Sequence, residues 1–253
     1  MYEGIGDRLD DIYERMVAVR SRIAEKLGFD SYISYIYTRF GRYDYGPEDV
    51  KKFRGYVKDQ IVPVCERLFK EQAESLGLSA VTFYDEQLKH PDGNAAPTGT
   101  KGEMLKSAKE MYHELSKETG EFFDFMLEHE MFDLDSKPGK QPGGYCSFLP
   151  GVKSPFIFAN FNGTSADVDV LTHEMGHAFE AYTASRIYPL SSMTWASSET
   201  NETHSMSMEF FTEPWYHLFF GEQKTKEYTQ MHLEDAIMFV PYGCMVDEFQ
   251  HEV

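Results

Sequence analysis

Val168-Asp169-Val170-Leu171-Thr172-His173-Glu174-Met175-Gly176-His177-Ala178-Phe179 is the stretch from which the rest of the chain can be read. Val168, Leu171, Met175, Ala178 and Phe179 recur at helical spacing, which predicts a helix near 166–186. Thr164 or Ser165 offers an N-cap, and Asp167 and Asp169 suit the positive end of the helix. Four residues turn an α-helix by about 400°, so His173 and His177 share a face one turn apart. Two imidazoles so placed can bind one tetrahedral zinc at about 2.0–2.1 Å each. Glu174 projects roughly 100° away, near enough to reach a water beside the metal and too far round to be the next ligand.

A catalytic zinc needs a third protein ligand and an open fourth position. A third histidine six residues beyond the motif is excluded, because that position is Thr183 and the glycine expected before it is Glu180. The alternative is a carboxylate on the next helix. Within Ser198 to Glu209, the residues Glu199, Glu202 and Glu209 lie three and seven apart and share one face, so all three are candidates. The neighbouring Phe210, Phe211, Trp215, Leu218 and Phe219 mark that helix as buried, and a buried carboxylate needs a metal or another cation.

Upstream, residues 136–165 are rich in proline and glycine. Between them lie two β-type runs, Tyr145–Leu149 and Phe156–Phe161, which predict a hairpin or small edge sheet, with Phe156–Phe161 as its edge strand or as a core strand with phenylalanines inward. Further out, Leu9, Ile12, Tyr13, Met16, Val19, Ile23 and Leu27 give helical spacing over 7–27. A short helix is expected over 31–40, and another from Pro47 to about Leu76, kinked at Pro63. Residues 80–102 read as a strand or extended piece followed by loop, with helices near 102–117 and 119–131. After the motif, helices are expected near 198–220 and 224–250. The division that results is a helical part over 1–135 and a hairpin with metal-binding helices over 136–253. The chain opens almost directly into an amphipathic helix and ends with a helical pattern still running, so a piece of a longer protein is expected.

The 253 residues are 42% hydrophobic and 15% aromatic, enough for a substantial core. A formal charge of −18 argues against nucleic acid and anionic membranes as partners. No apolar run approaches the ~20 residues that span a bilayer, and no basic-then-apolar leader precedes the first helix. Three widely spaced cysteines, Cys65, Cys146 and Cys244, suggest reduced thiols and a cytoplasmic setting. Nothing specifies an oligomeric state. Outside the motif, His90, His113, His217, His232 and His251 have no ligand spacing and read as surface or core residues, while His204, two residues from Glu202, points elsewhere.

The runs Gly143-Gly144-Tyr145-Cys146, Phe158 to Thr164, Leu171 to Ala178 and Glu202 to Phe211 closely resemble oligoendopeptidase F, the bacterial branch of the thimet oligopeptidase family. Lys26-Leu27-Gly28-Phe29 and Gly41 to Tyr45 are similar to the same branch, so the resemblance covers nearly the whole chain. It implies a mainly α fold, a zincin-type helical metallopeptidase core with the small hairpin sheet beside the metal-binding helix. It implies cleavage of internal bonds in short oligopeptides and one Zn2+. The third ligand carried over falls on Glu202, and Glu209 matches a further acidic position that would hydrogen-bond a ligand histidine. Glu199 and Asp169 are weaker candidates for that supporting role. Zinc would lower the pKa of a water, and Glu174 would act as general base. The family's members are longer and carry a histidine and tyrosines beyond the metal helices that help stabilise the oxyanion. The alternative is therefore a metal-binding but catalytically silent helical fragment.

Overall fold

The computed structural model describes residues 4–253. They fall into two compact units, one of residues 69–234 and one of residues up to 68 together with 235–253. Residues 135 and 136, where the composition changes, both lie inside the 69–234 unit.

The 69–234 unit carries the large core. Helices α5 (Lys101–Leu115) and α6 (Lys117–Glu128) form an antiparallel pair. Thr100 caps α5 in a reciprocal box with Glu103, and Ser116 caps α6 by accepting from the Thr119 N–H. The two helices approach closely at Gly120, where a Cβ would lie 2.9–3.0 Å from His113. Met104, Met111, Tyr112, Phe122, Phe123 and Met126 point from this pair into the core and are buried. Each large side chain so buried contributes about 1.5–3 kcal/mol.

Three strands follow: β1 (Phe132–Asp135), β2 (Tyr145–Leu149) and β3 (Ser154–Phe161). The sheet order is β1-β3-β2, with β3 parallel to β1 and antiparallel to β2. The hairpin is thus present, but β3 is the central strand and β2 an edge. Its facing also differs from expectation. Ile157 and Ala159 enter the core, while Phe158 sits on the other face, stacked on Tyr145 at 4.9 Å and under the Lys140 ammonium at 4.3 Å. Period-2 alternation permits either facing, and the smaller aliphatic set is the one that fits against α7 (Ala166–Ile187).

Helix α7 packs on β2, β3 and α8 (Ser198–Phe211). Neither Thr164 nor Ser165 caps α7 through its side chain. Asp167 instead reaches back to accept the N–H groups of Asn162 and Gly163, and Asn162 accepts from Thr164. Ser197 caps α8. The helix expected to run to residue 220 stops at Phe211, because Pro214 has no N–H to continue it. Helix α9 (His217–Glu252) begins after it, with a break at Gly221, where φ is 67°. Residues 80–100 form turns and bends with no strand, held by Gln72 donating to three carbonyls of that segment, and 101–102 already belong to α5.

The other unit contains α1 (Gly6–Lys26), α2 (Tyr32–Arg39) and α3 (Pro47–Tyr56). The expected kink at Pro63 takes the form of a π-helical turn, Val57–Ile61, leading into α4 (Val62–Leu76). The Val62 N–H bonds five residues back to Val57, which makes room for a ring that cannot donate. Arg54 is buried and paired with Asp247. On α1 only Ala24 is buried, and the stripe Leu9, Ile12, Val19 and Ile23 is exposed. Among the described residues no helix is long and apolar enough to cross a membrane.

Candidate metal centre

His173, Glu174 and His177 lie mid-way along α7, and the two imidazoles face the same way with centroids 5.0 Å apart. Helix α8 crosses directly beside them. It can do so because the motif's second variable position is Gly176. A Cβ there would stand 2.6 Å from Ser205 Cα and 2.8 Å from the His204 carbonyl oxygen. That close approach brings Glu202 to the imidazoles. Its Oε2 lies 3.3 Å from His173 Nε2 and 3.7 Å from His177 Nε2. Four donors around one tetrahedral zinc at about 2.0–2.1 Å stand roughly 3.3–3.5 Å apart. His173, His177 and Glu202 are the metal-capable group found among the described residues, with donor atoms all within 4.8 Å of one another.

The donor set fits the cation in a second way. His177 Nδ1 is buried with no hydrogen-bond partner, and its Nε2 is too far from Glu202 for a hydrogen bond. A cation at Nε2 would give the ring a partner that the protein does not supply, with the ring's one proton then held on Nδ1. Burial, reinforced by the charge of His173, pulls the pKa of His177 down, so the ring favours the neutral form that ligates metal. Glu202 is 57% exposed at its side chain, and Ser205 Oγ donates to its Oε2 at 3.0 Å. The site is therefore open on the Glu202 side.

His173 is held differently. Its Nδ1 lies 2.6 Å from Glu209 Oε1, and Glu209 Oε2 lies 2.6 Å from His232 Nε2. A carboxylate only accepts, so protons sit on both facing nitrogens and His173 Nε2 is left toward Glu202. Burial works against charge on His173, but the Glu209 hydrogen bond and charge outweigh it and its pKa is raised. Burial likewise pushes Glu209 up, and the bonds from His173 and His232 more than reverse that, so its pKa is lowered.

Glu174 is 7% exposed and lies against β2, where the Cys146 N–H bonds to it. Desolvation raises its pKa; His173 opposes that and Glu202 adds to it. Gly144 leaves the space, since a Cβ there would meet Val170 at 3.0 Å and Glu174 Oε1 at 3.9 Å.

The profile of Peptidase family M3 matches residues 2–253. The chain belongs to peptidase family M3. Among solved structures, PZ peptidase A, determined with an inhibitor, is 48% identical with a TM-score of 0.95, over 99% of this chain and 44% of its own. A Bacillus anthracis str. Ames chain assigned as an oligoendopeptidase F is 46% identical with a TM-score of 0.95, over 100% of this chain and 46% of its own. A Chlamydophila abortus chain assigned as a peptidase, at 16% identity and a TM-score of 0.60, shares the fold. No curated protein matches the chain. This M3 chain thus spans less than half the length of the two relatives at 46–48% identity, and its mainly helical fold with a small sheet is theirs.

Of the acidic residues singled out from the M3 chain's sequence, Glu202 comes to both His173 and His177, Glu209 comes to His173 alone of the two, and Glu199 does not join the donor set; it is exposed in the first turn of α8. Asp169, one turn before His173, accepts from the Tyr228 hydroxyl. His204 pairs with Glu180 at 2.9 Å, away from the donor set as its spacing indicates. His232, which reads from sequence as an ordinary surface or core residue, is buried against Glu209. One signal was available: Tyr228 and His232 stand four apart on α9, the spacing of Asp169 and His173 on α7.

Proposed function

We propose that this M3 chain holds one catalytic zinc through His173, His177 and Glu202, and that it serves in hydrolysing internal peptide bonds of short oligopeptides. The observation that carries the reading is the approach of Glu202 Oε2 to within 3.3 and 3.7 Å of two imidazole nitrogens on the neighbouring helix. Two nitrogens and a carboxylate oxygen with an open side suit catalytic zinc. When bound, zinc supplies Lewis acidity toward the scissile carbonyl and lowers the pKa of a water toward ~7.

The chain's own groups do the rest. Glu174 takes a proton from the attacking water and passes it to the leaving amine, and its raised pKa suits both tasks. The Cys146 N–H orients it. Glu209 fixes the His173 tautomer. Asp169, bonded by Tyr228, steadies the same face of α7, and Glu199 is the weakest of the acidic candidates. A peptide adds to the free edge of β2, beside Glu174, by backbone hydrogen bonds. The free thiols Cys65, Cys146 and Cys244 suit a cytoplasmic setting.

Internally quenched fluorogenic peptides and metal analysis test the reading together. E174Q should keep the zinc content of the parent and lose about 10²–10⁴-fold in turnover. An E174Q protein that cleaves as well as the parent overturns the base assignment. A second reading, metal binding without turnover by this chain alone, is favoured by its 44–46% share of the solved relatives. Zinc bound with no cleavage by the unaltered chain would decide for it.

A further inference from the structure

We propose that His232 is a positioning residue for the metal site, acting on His173 through Glu209. The inference rests on the zinc reading above and extends it outward to α9.

Glu209 is buried, and each of its carboxylate oxygens is matched by a different ring: Oε1 by His173 Nδ1 and Oε2 by His232 Nε2, both at 2.6 Å. A buried carboxylate with one oxygen unmatched draws in water or rotates toward another donor. Either movement loosens the bond that keeps the His173 ring from flipping. His232 is itself fixed. It is buried among Phe210, Tyr216 and Tyr228, with ring centroids at 4.8, 6.0 and 6.0 Å. Tyr228 is tied in turn to Asp169 on α7. One face of α9 therefore holds two points of α7, Asp169 directly and His173 through Glu209. The orientation of a ligand on one helix is set by a histidine two helices on.

The test is a zinc-affinity cycle by chelator competition on the purified protein, with H232Q, H232F, E209A and E209A/H232F. A glutamine amide nitrogen takes the place of His Nε2 and can still donate to Glu209, whereas phenylalanine cannot donate. The expected result is about 10–100-fold weaker zinc binding for H232F, near-parent binding for H232Q, and no further loss when H232F is added to E209A. A purely structural role would instead make the H232F and E209A losses multiply. Parent-like zinc affinity in H232F, or multiplying losses in the double variant, overturns the proposal. If H232F does not fold, H232N replaces it in the same cycle, since its amide corresponds to Nδ1 and falls short of Glu209. Failure of the parent to bind zinc, or unchanged affinity in H177A, would instead remove the metal reading itself.

Discussion

The two imidazoles of the proposed metal site come from one helix, one turn apart, yet they are prepared in opposite ways. His173 is braced through Nδ1 by Glu209, which is braced by His232. His177 has a buried Nδ1 without a partner. The pKa values follow suit, raised for His173 and lowered for His177. One proposed ligand is thus oriented without the metal, and a proton would have to leave it on binding. The other already favours the neutral ring and is left for the cation to orient.

The largest effect is expected where both halves depend on one contact. G176V places a branched side chain where even a Cβ would lie 2.6 Å from Ser205 Cα. Overpacking of this kind costs about 1–3 kcal/mol, and pushing α8 outward withdraws Glu202 and Glu209 together. Thermal unfolding should shift down and zinc binding should be lost. A G176V protein with parent affinity would show that the close crossing does not set the ligand geometry.

Proton release on zinc binding probes the difference between the rings. A raised pKa keeps the second proton on His173 to higher pH in the metal-free protein than on His177, whose pKa is lowered. Calorimetry in buffers of different ionisation enthalpy should therefore show proton release that falls as pH rises through the His173 pKa, and that falls less steeply in E209A, where the chief cause of the raised pKa is gone. The same pH dependence of release in the parent and in E209A would erase the contrast.

The stability of the metal-free protein should follow the same pair. A raised His173 pKa contributes stability that is full below the unfolded imidazole value and lost as pH rises through the folded one. A lowered Glu209 pKa contributes stability present above the unfolded carboxyl value and lost as pH falls through the folded one. The pair therefore stabilises most between the two, and denaturant midpoints should decline on both sides of that window. In E209A the alkaline decline should weaken, since the Glu209 hydrogen bond and charge are the main causes that raise the His173 pKa.

The smallest effect is the control. Asp124 on α6 pairs with Lys109 and His113 on α5, and the Lys109 hydrogen bond chiefly lowers its pKa. D124N should cost at most about 1 kcal/mol and leave zinc affinity unchanged. A change in affinity there would mean that general loosening, not local bracing, controls the site.

Some of this was readable in the linear chain because it is local. The α7 face carrying His173 and His177, the off-face position of Glu174 and the shared face of Glu202 and Glu209 all follow from 3.6 residues per turn. The hairpin runs were marked by their flanking prolines and glycines. Long-range choices were not readable. Strand β1 is four residues long, too short for alternation to register, and its parallel pairing makes β3 central. Alternation along β3 could not say that Ile157 and Ala159, and not Phe158, enter the core. The spacing on α1 marked an apolar stripe without saying whether it would be covered.

By itself the sequence determined which side chains lie on a common face, since helical and extended periods are properties of the local backbone. Only the tertiary structure decided which faces meet. Contact between distant segments depends on shape and burial, as where the missing Cβ of Gly176 lets α8 bring Glu202 to the histidines and where α9 sets His232 against Glu209.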